Sequence, residues 1–378
     1  MKEHFGLMKI KTWIKKEIVL VVAVVLAVIS CFWEAPKWSY IDFKVLLLLF
    51  NLMVVIAAFK EQLLLDYLAV NLLRHCQNSK QTGLVLVGIT FVAAMFMTND
   101  VALITFIPLT LIIGRKLKIV PIKWVVFQTL AANLGSSLTP MGNPQNLFIY
   151  TYYGVHLGEF LKVATGLVIL SAIFLGCLLL KERKTDITIV LEPVQMKAPK
   201  QLMVFLILFI IILSSVVGVL DYRIAFCITI IVTLLVNRHL LFQIDYTLLL
   251  TFIGFFIFIG NLAAIPAIKA ALQSFLKEEG YTYLSGLVMS QVISNVPATM
   301  LLAPFTENWQ ELVLGVDIGG MGTLIASLAS VISYKLFVKE YQQEAKAYFK
   351  SFTWYNVLGL ILLAPLGYGL LQLLHLLF

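Results

Sequence analysis

The sequence predicts an all-α polytopic membrane protein of two inverted repeats, each with scaffold helices, an interfacial helix, a re-entrant hairpin and a broken transmembrane helix. Three observations predict it. Of 378 residues, 61% are hydrophobic and only 13% charged, with a mean hydropathy of +0.96, which excludes an ordinary water-soluble domain. Two short polar breaks, Met97-Thr98-Asn99-Asp100 and Ile293-Ser294-Asn295-Val296-Pro297, interrupt apolar sequence at corresponding places in the two halves. In hydrocarbon an unsatisfied N–H or C=O costs several kcal/mol, so such a break survives only against buried protein or a water-filled cavity. Finally, the basic residues fall in four clusters that one topology gathers on a single side of the membrane.

Segments near residues 18–33, 43–59, 161–180, 201–220, 223–237, 245–262 and 353–376 are apolar and about long enough to cross a bilayer of roughly 30 Å. The first is expected to remain as a helix, because bulky Cys31-Phe32-Trp33-Glu34 follows it in place of a small-residue cleavage site. After the second span, Lys60 to Arg74 is apolar on one helical face and charged on the other, as in a helix lying in the interface. Residues 82–114 are apolar except at Thr98-Asn99-Asp100, which fits either a broken crossing or a re-entrant hairpin. Counting sides favours the hairpin. It returns Arg115, Lys116, Lys118 and Lys123 to the side of Lys2, Lys9, Lys11, Lys15 and Lys16. Residues 124–149 then cross outward as a broken helix, and the span ending at Leu180 closes a first repeat, 1–180. A cytoplasmic linker, 181–200, carries Lys181, Arg183, Lys184, Lys197 and Lys200.

The second repeat, 201–378, follows the same plan upside down. Three spans end near Leu262, an amphipathic segment runs from Ile265 to Glu279, and a hairpin over 283–305 has Ser294-Asn295 at its tip. A broken helix over 311–334 returns to Lys335, Lys339, Lys346 and Lys350, and the last span ends outside. An odd number of crossings separates the two amphipathic segments, which inverts the repeats. The expected setting is the plasma (inner) membrane, N-terminus cytoplasmic and C-terminus outside. Within the broken helices, Asn133-Leu134-Gly135-Ser136-Ser137-Leu138-Thr139 aligns without gaps on Asp317-Ile318-Gly319-Gly320-Met321-Gly322-Thr323. Glycine allows close backbone approach, and Pro140 and Pro144 prevent helix continuation. Helix ends exposed there would offer N–H groups to an anion and C=O groups to a cation.

The four cysteines, Cys31, Cys76, Cys177 and Cys227, stand singly and read as small packing residues. His4, His75, His156, His239 and His375 have no metal-ligand spacing. Gly319-Gly320-Met321-Gly322 lacks the strand and lysine of a nucleotide loop. The Phe-rich run Thr251 to Asn261 reads as lipid-facing or interhelical packing, and the net charge of +8 as membrane sidedness rather than nucleic-acid binding. Asp100 has two readings. A carboxylate at bilayer depth costs about 2.5 to 3.5 kcal/mol and is functional by default, as a proton or cation carrier; alternatively it caps the second hairpin helix. Asp317 has the same two, with the cap favoured by the glycines that follow. Paired breaks point to a secondary transporter. A channel would need a continuous polar pore, and an enzyme would need catalytic pairs that the chain lacks.

At these four segments the chain resembles the ion transporter superfamily, which includes sodium-coupled di- and tricarboxylate symporters, citrate carriers, sodium/proton antiporters and arsenite efflux pumps. Thr98-Asn99-Asp100 and Ser294-Asn295-Val296 are similar to its Ser-Asn-Thr hairpin-tip motifs, and Gly142-Asn143-Pro144-Gln145-Asn146 to its Gly-Thr-Pro-Pro-Asn loop. Gly315-Val316-Asp317-Ile318-Gly319-Gly320 is similar to the second broken helix of the arsenite-pump and anion-permease branches. The resemblance implies alternating-access transport of a small anion, carboxylate or inorganic oxyanion, with no cofactor beyond sodium ions. It implies a substrate site at Thr98, Asn99, Asp100, Ser137, Thr139, Asn143, Ser294, Asn295 and Thr299. For cations it implies Asn99, Asp100, Gly135, Asn295, Asp317 and Gly319, and it implies pairing of two copies through the scaffold. Asp100 and Val296 replace the threonines of the carboxylate symporters, and an Asn-Asp tip looks more like the arsenite-pump branch. Both cation-driven uptake and proton-coupled arsenite extrusion therefore stay open.

Overall fold

The computed structural model describes residues 17–187 and 191–377. The N-terminal basic cluster and His4 lie outside the described residues. The first half contains α1 (Ile18–Ser30), α2 (Phe43–Glu61), α3 (Leu64–Leu73), α4 (Ser79–Phe96), α5 (Asn99–Leu117), α6 (Ile122–Gly135), α7 (Pro144–Tyr152) and α8 (Leu157–Leu180). After the linker come α9 (Pro199–Val216), α10 (Tyr222–Asn237), α11 (Tyr246–Ala264), α12 (Pro266–Leu276), α13 (Tyr281–Ile293), α14 (Asn295–Leu302), α15 (Trp309–Gly319), α16 (Leu328–Glu340) and α17 (Ala345–Leu377). Among the described residues, 7 helices are long and apolar enough to cross a membrane. The protein is therefore an all-helical, multi-pass membrane protein.

Three of the helix starts are fixed by short polar side chains, as unpaired N–H groups require. Asp42 accepts from Val45 N–H (3.1 Å), Asn78 from Gln81 N–H (3.0 Å) and Asp245 from Leu248 N–H (3.0 Å). A frame forms where α1 packs on α11 and α2 on α9 and α10. Inside it α4 packs on α6, α5 on α16 and α13 on α15, with α8 and α17 flanking. The two parts meet where α2 contacts α7 and α11 contacts α14. From the Phe-rich run, Phe252, Phe255 and Phe256 are buried between helices. The cysteines correct an expectation: Cys76 alone is buried, and Cys31, Cys177 and Cys227 lie exposed. Apolar character cannot tell a packed face from a lipid face, because hydrocarbon solvates both.

Three basic clusters meet at one end of the bundle. Arg115 pairs with Glu340 (3.1 Å), Lys123 with Glu182 (2.7 Å), and Lys80 Nζ donates to Leu180 O (2.7 Å). The roots of α4 and α5 thus sit at the C-terminal end of α8. The roots of α13 and α14 sit at the other end, where Tyr153 Oη donates to Ala303 O (2.9 Å) and Thr306 O (3.0 Å) and Trp309 stacks on Phe160. With 24 residues, α8 separates these ends by about 36 Å at 1.5 Å per residue. The two hairpins therefore open at opposite ends. The linker is strapped across α3: Gln62 Oε1 accepts from Ala198 N–H (2.9 Å), Arg74 donates to Leu191 O (3.4 Å), and Ile187 N–H donates to Gln77 O (3.1 Å). On α12 the one buried residue is Leu276.

Candidate functional site

Four helices start at the centre of the bundle: α5 and α14 at the hairpin tips, α7 and α16 after the breaks. Glycines make this convergence possible. A Cβ on Gly135 would lie 2.3 Å from Phe91 O, and one on Gly142 would lie 2.1 Å from Ser136 O. At the second break a Cβ on Gly319 would meet Ser290, and Gly322 has φ +101°.

The breaks are joined by two crossed braces. Asn133, two residues before the end of α6, has its Oδ1 accepting from Asn99 Nδ2 (3.1 Å) and Ser327 Oγ (3.0 Å). Its Nδ2 donates to Ser330 Oγ (3.3 Å) and Gly320 O (3.4 Å). Asp317, two residues before the end of α15, reaches the start of α7 in the same way. Its Oδ1 accepts from Asn143 Nδ2 (3.2 Å) and Gln145 Nε2 (3.3 Å), and its Oδ2 from Asn146 Nδ2 (3.0 Å). Each brace thus runs from the last turn of one broken helix to the first turn of the other, at the first-turn start and the position three residues on. One carries an amide and the other a carboxylate. The N-terminal field of α7 favours the anion.

The predicted site residues separate into groups. Asn99, Asn295, Ser294, Asn143, Asp317 and Ser137 are buried around the breaks, and Gly135 and Gly319 end α6 and α15. Asn99 N–H donates to Gly142 O (3.1 Å), and Asn99 Oδ1 accepts from Asp100 N–H (2.9 Å). Asn295 Oδ1 accepts from Val296 N–H (3.0 Å). Thr98 precedes α5 without a side-chain cap. Thr139 Oγ1 donates to Met95 O, and Thr299 Oγ1 donates to Asn295 O (2.7 Å), so both serve the backbone of their own hairpin and break. The cap readings of Asp100 and Asp317 are corrected. Asp100 lies inside the first turn of α5 with its Oδ1 buried and unpartnered, and Asp317 sits in the last turn of a helix, not before one.

Sequence reasoning missed Asn133, Gln145, Asn146, Ser327 and Ser330. The gapless alignment of Asn133 on Asp317 was the available signal. It also missed Gln291, whose Nε2 donates to Gly319 O (2.7 Å) and Met321 O (2.9 Å) and closes the end of α15. Glu311 was missed too: buried, it accepts from Gly280 N–H (3.1 Å) and Tyr283 N–H (3.2 Å) at the root of the second hairpin. Among the described residues no Lys, Arg or His is buried. A cavity of about 570 Å³ lies between Asp42, Tyr40 and Gly260 of the frame and Phe148 and Met300 of the inner unit, away from the tips.

Helices broken at the centre of a membrane bundle, around a polar network without basic side chains, define a membrane transporter. Comparison with known proteins narrows the class. Residues 9–315 match the citrate transporter family, and the chain belongs to that family. It is 35% identical over 301 residues to an uncharacterized transporter of Methanocaldococcus jannaschii, covering 78% of this chain and 81% of the relative. It is 30% identical over 350 residues to the inner membrane protein YbiR of Escherichia coli, covering 90% and 91%. The fold is similar to that of the YdaH transporter of Alcanivorax borkumensis, with TM-score 0.52, 14% identity and coverage of 88% and 85%.

Proposed function

We propose that the protein is a secondary active transporter that carries a small anion, a carboxylate or inorganic oxyanion, across the plasma membrane with a sodium ion or proton. In this reading the halves 1–180 and 201–378 are inverted repeats, with the basic end and N-terminus cytoplasmic and the C-terminus outside. The unit of hairpins and broken helices moves against the frame in alternating access, and two copies pair through the frame. The observation that carries it is the convergence of four helix starts on the buried asparagines Asn99 and Asn295 at bilayer depth, where polar groups are functional by default. Helix N-termini there favour an anion. The unpartnered Oδ1 of Asp100 supplies the acceptor for a cation or proton. Cation and anion then stabilise each other's binding, and that coupling is reciprocal.

A second reading, proton-coupled extrusion of arsenite or another oxyanion, is favoured by the same Asp100. Proteoliposomes loaded with the purified chain and given imposed sodium or proton gradients test both. Gradient-driven accumulation of citrate, succinate or sulfate supports uptake, whereas arsenite flux driven by a proton gradient supports extrusion. Unitary currents in planar bilayers with no accumulation against a gradient would overturn both.

A further inference from the structure

The two hairpin tips occupy equivalent positions and share the bond from the following N–H to the asparagine Oδ1, yet the rest of their chemistry differs. At the first tip the amide donor of Asn99 is spent on Asn133. At the second, the side-chain hydrogen bonds of Asn295 run through Oδ1, which accepts from Val296 N–H (3.0 Å) and Ser294 Oγ (3.5 Å), and leave the Nδ2 donor unused among the described residues; the residue is 4% exposed. It lies against Gly320, where a Cβ would come within 3.0 Å of it. The carboxylates show the opposite bias. Asp100 stands in the first turn of α5 and Asp317 against the start of α7. The corresponding places beside α14 and α16 hold Val296 and the amide of Asn133.

The helix ends follow suit. Asn143 Oδ1 caps α7 through Asn146 N–H (2.8 Å), whereas the start of α16 has no side-chain cap. The carbonyls at the end of α15 are covered by Gln291 and Asn133. In the first repeat Met95 occupies the place of Gln291 and has no donor to offer. Backbone strain is unequal as well: Ser294 has φ 75° and ψ 153°, a region that L side chains rarely occupy, while Thr98 has φ −63°. Strain of this kind persists where the surroundings impose it, and it clusters at ligand clamps.

From these differences we infer that the binding centre is electrically polarised between the repeats: the anionic group of the substrate binds at the second tip, on Asn295 Nδ2 and the uncapped start of α16, which Ser294 Oγ ties to the tip by donating to Ala326 O (3.4 Å), and the coupling cation binds at the first tip, beside Asp100. This rests on the transport reading and deepens it, since a symmetric carrier would share both charges between both tips. An unpaired donor meets the anion, and an unpaired acceptor meets the cation. The fixed carboxylates exclude a second anionic group from the α5 and α7 helix starts.

The deciding substitution is Asn295→Asp. It keeps the Oδ1 that accepts from Val296 N–H, so the tip retains its cap, and exchanges only the free donor for a carboxylate oxygen. The purified full chain in nanodiscs is titrated with sodium chloride alone and then, at saturating sodium, with citrate, succinate, sulfate and acetate. Isothermal titration calorimetry is the binding readout, and proteoliposome flux of the same anions the transport readout. Asn295→Asp should weaken anion binding at least 100-fold and leave the sodium half-saturation within about threefold of wild type. Asp100→Asn should do the reverse. Anion half-saturation within twofold of wild type in Asn295→Asp, or equal shifts of both ligands in both variants, would overturn the polarity. Wild type that binds and moves none of these anions would instead remove the transport reading itself. If Asn295→Asp fails to assemble by size exclusion, Val296→Asp, which adds the missing carboxylate beside an intact Asn295, is scored in its place by the same criteria.

Discussion

The charged brace makes a quantitative prediction. Replacing Asp317 by Ala removes the acceptor of three amide donors, but the three are not equally exposed to the loss. Asn143 Nδ2 keeps Ser136 Oγ at 3.2 Å, and Asn146 Nδ2 keeps Ser137 O at 3.5 Å. Gln145 Nε2 has only Asp317, and its Oε1 is already unpartnered. A stranded buried donor costs about 1–3 kcal/mol, and the small cavity adds about 1 kcal/mol. The expected loss is therefore about 2–4 kcal/mol. At about 2 °C per kcal/mol for a large domain, thermostability followed by fluorescence-detected size exclusion should fall by roughly 4–8 °C. The test of the reasoning is the second-site change. Gln145→Leu in the wild-type background should lower stability, but in the Asp317→Ala background it should raise it by about 2–6 °C, because the stranded amide is gone. Additive losses in the double variant would refute the assignment of the cost to Gln145.

Gly135→Ala should abolish folded protein on size exclusion, since its Cβ would lie 2.3 Å from the Phe91 carbonyl oxygen, whereas Gly176→Ala, with nothing within 4 Å, should be neutral. Asp100→Asn should raise the sodium or proton concentration needed for half-maximal uptake at least tenfold with little change in anion half-saturation; unchanged cation curves would assign Asp100 to structure. Cysteines at Lys116 and Lys184 should be labelled from the cytoplasm and those at Tyr153 and Asn308 from outside by impermeant maleimide. Labelling of positions 116 and 153 from one side would end the inverted topology.

The break positions were legible because they are written in residue types that hydrocarbon does not tolerate by default. Thr98-Asn99 and Ser294-Asn295 stand at helix junctions, and the aligned glycines Gly135 and Gly319 each end a helix. Helix phase was not legible. Asp317 before a glycine pair reads equally well as the cap of a new helix or the last turn of an old one, and only packing against α7 distinguishes them. The braces were half legible: the Asn133 and Asp317 correspondence is visible in one sequence, but their partners lie 194 and 174 residues away. Glu311 looks like an ordinary acid in the first turn of its own helix. Its partners are the N–H groups of another helix, a relation set by tertiary contact alone.

The strapped linker gives the molecule a mechanical handedness. Two short helices, α3 and α12, are the arms by which the hairpins hang from the frame, one at each face. The arm at the basic face is bolted down, with Gln62 before it and Arg74 after it both bonded to the linker. The arm at the opposite face buries a single residue. In the proposed alternating access, the inner unit swings about the stiff arm rather than sliding evenly. The larger excursion should therefore fall on the α13–α14 hairpin, and backbone amides of α12 should exchange with solvent deuterium faster than those of α3.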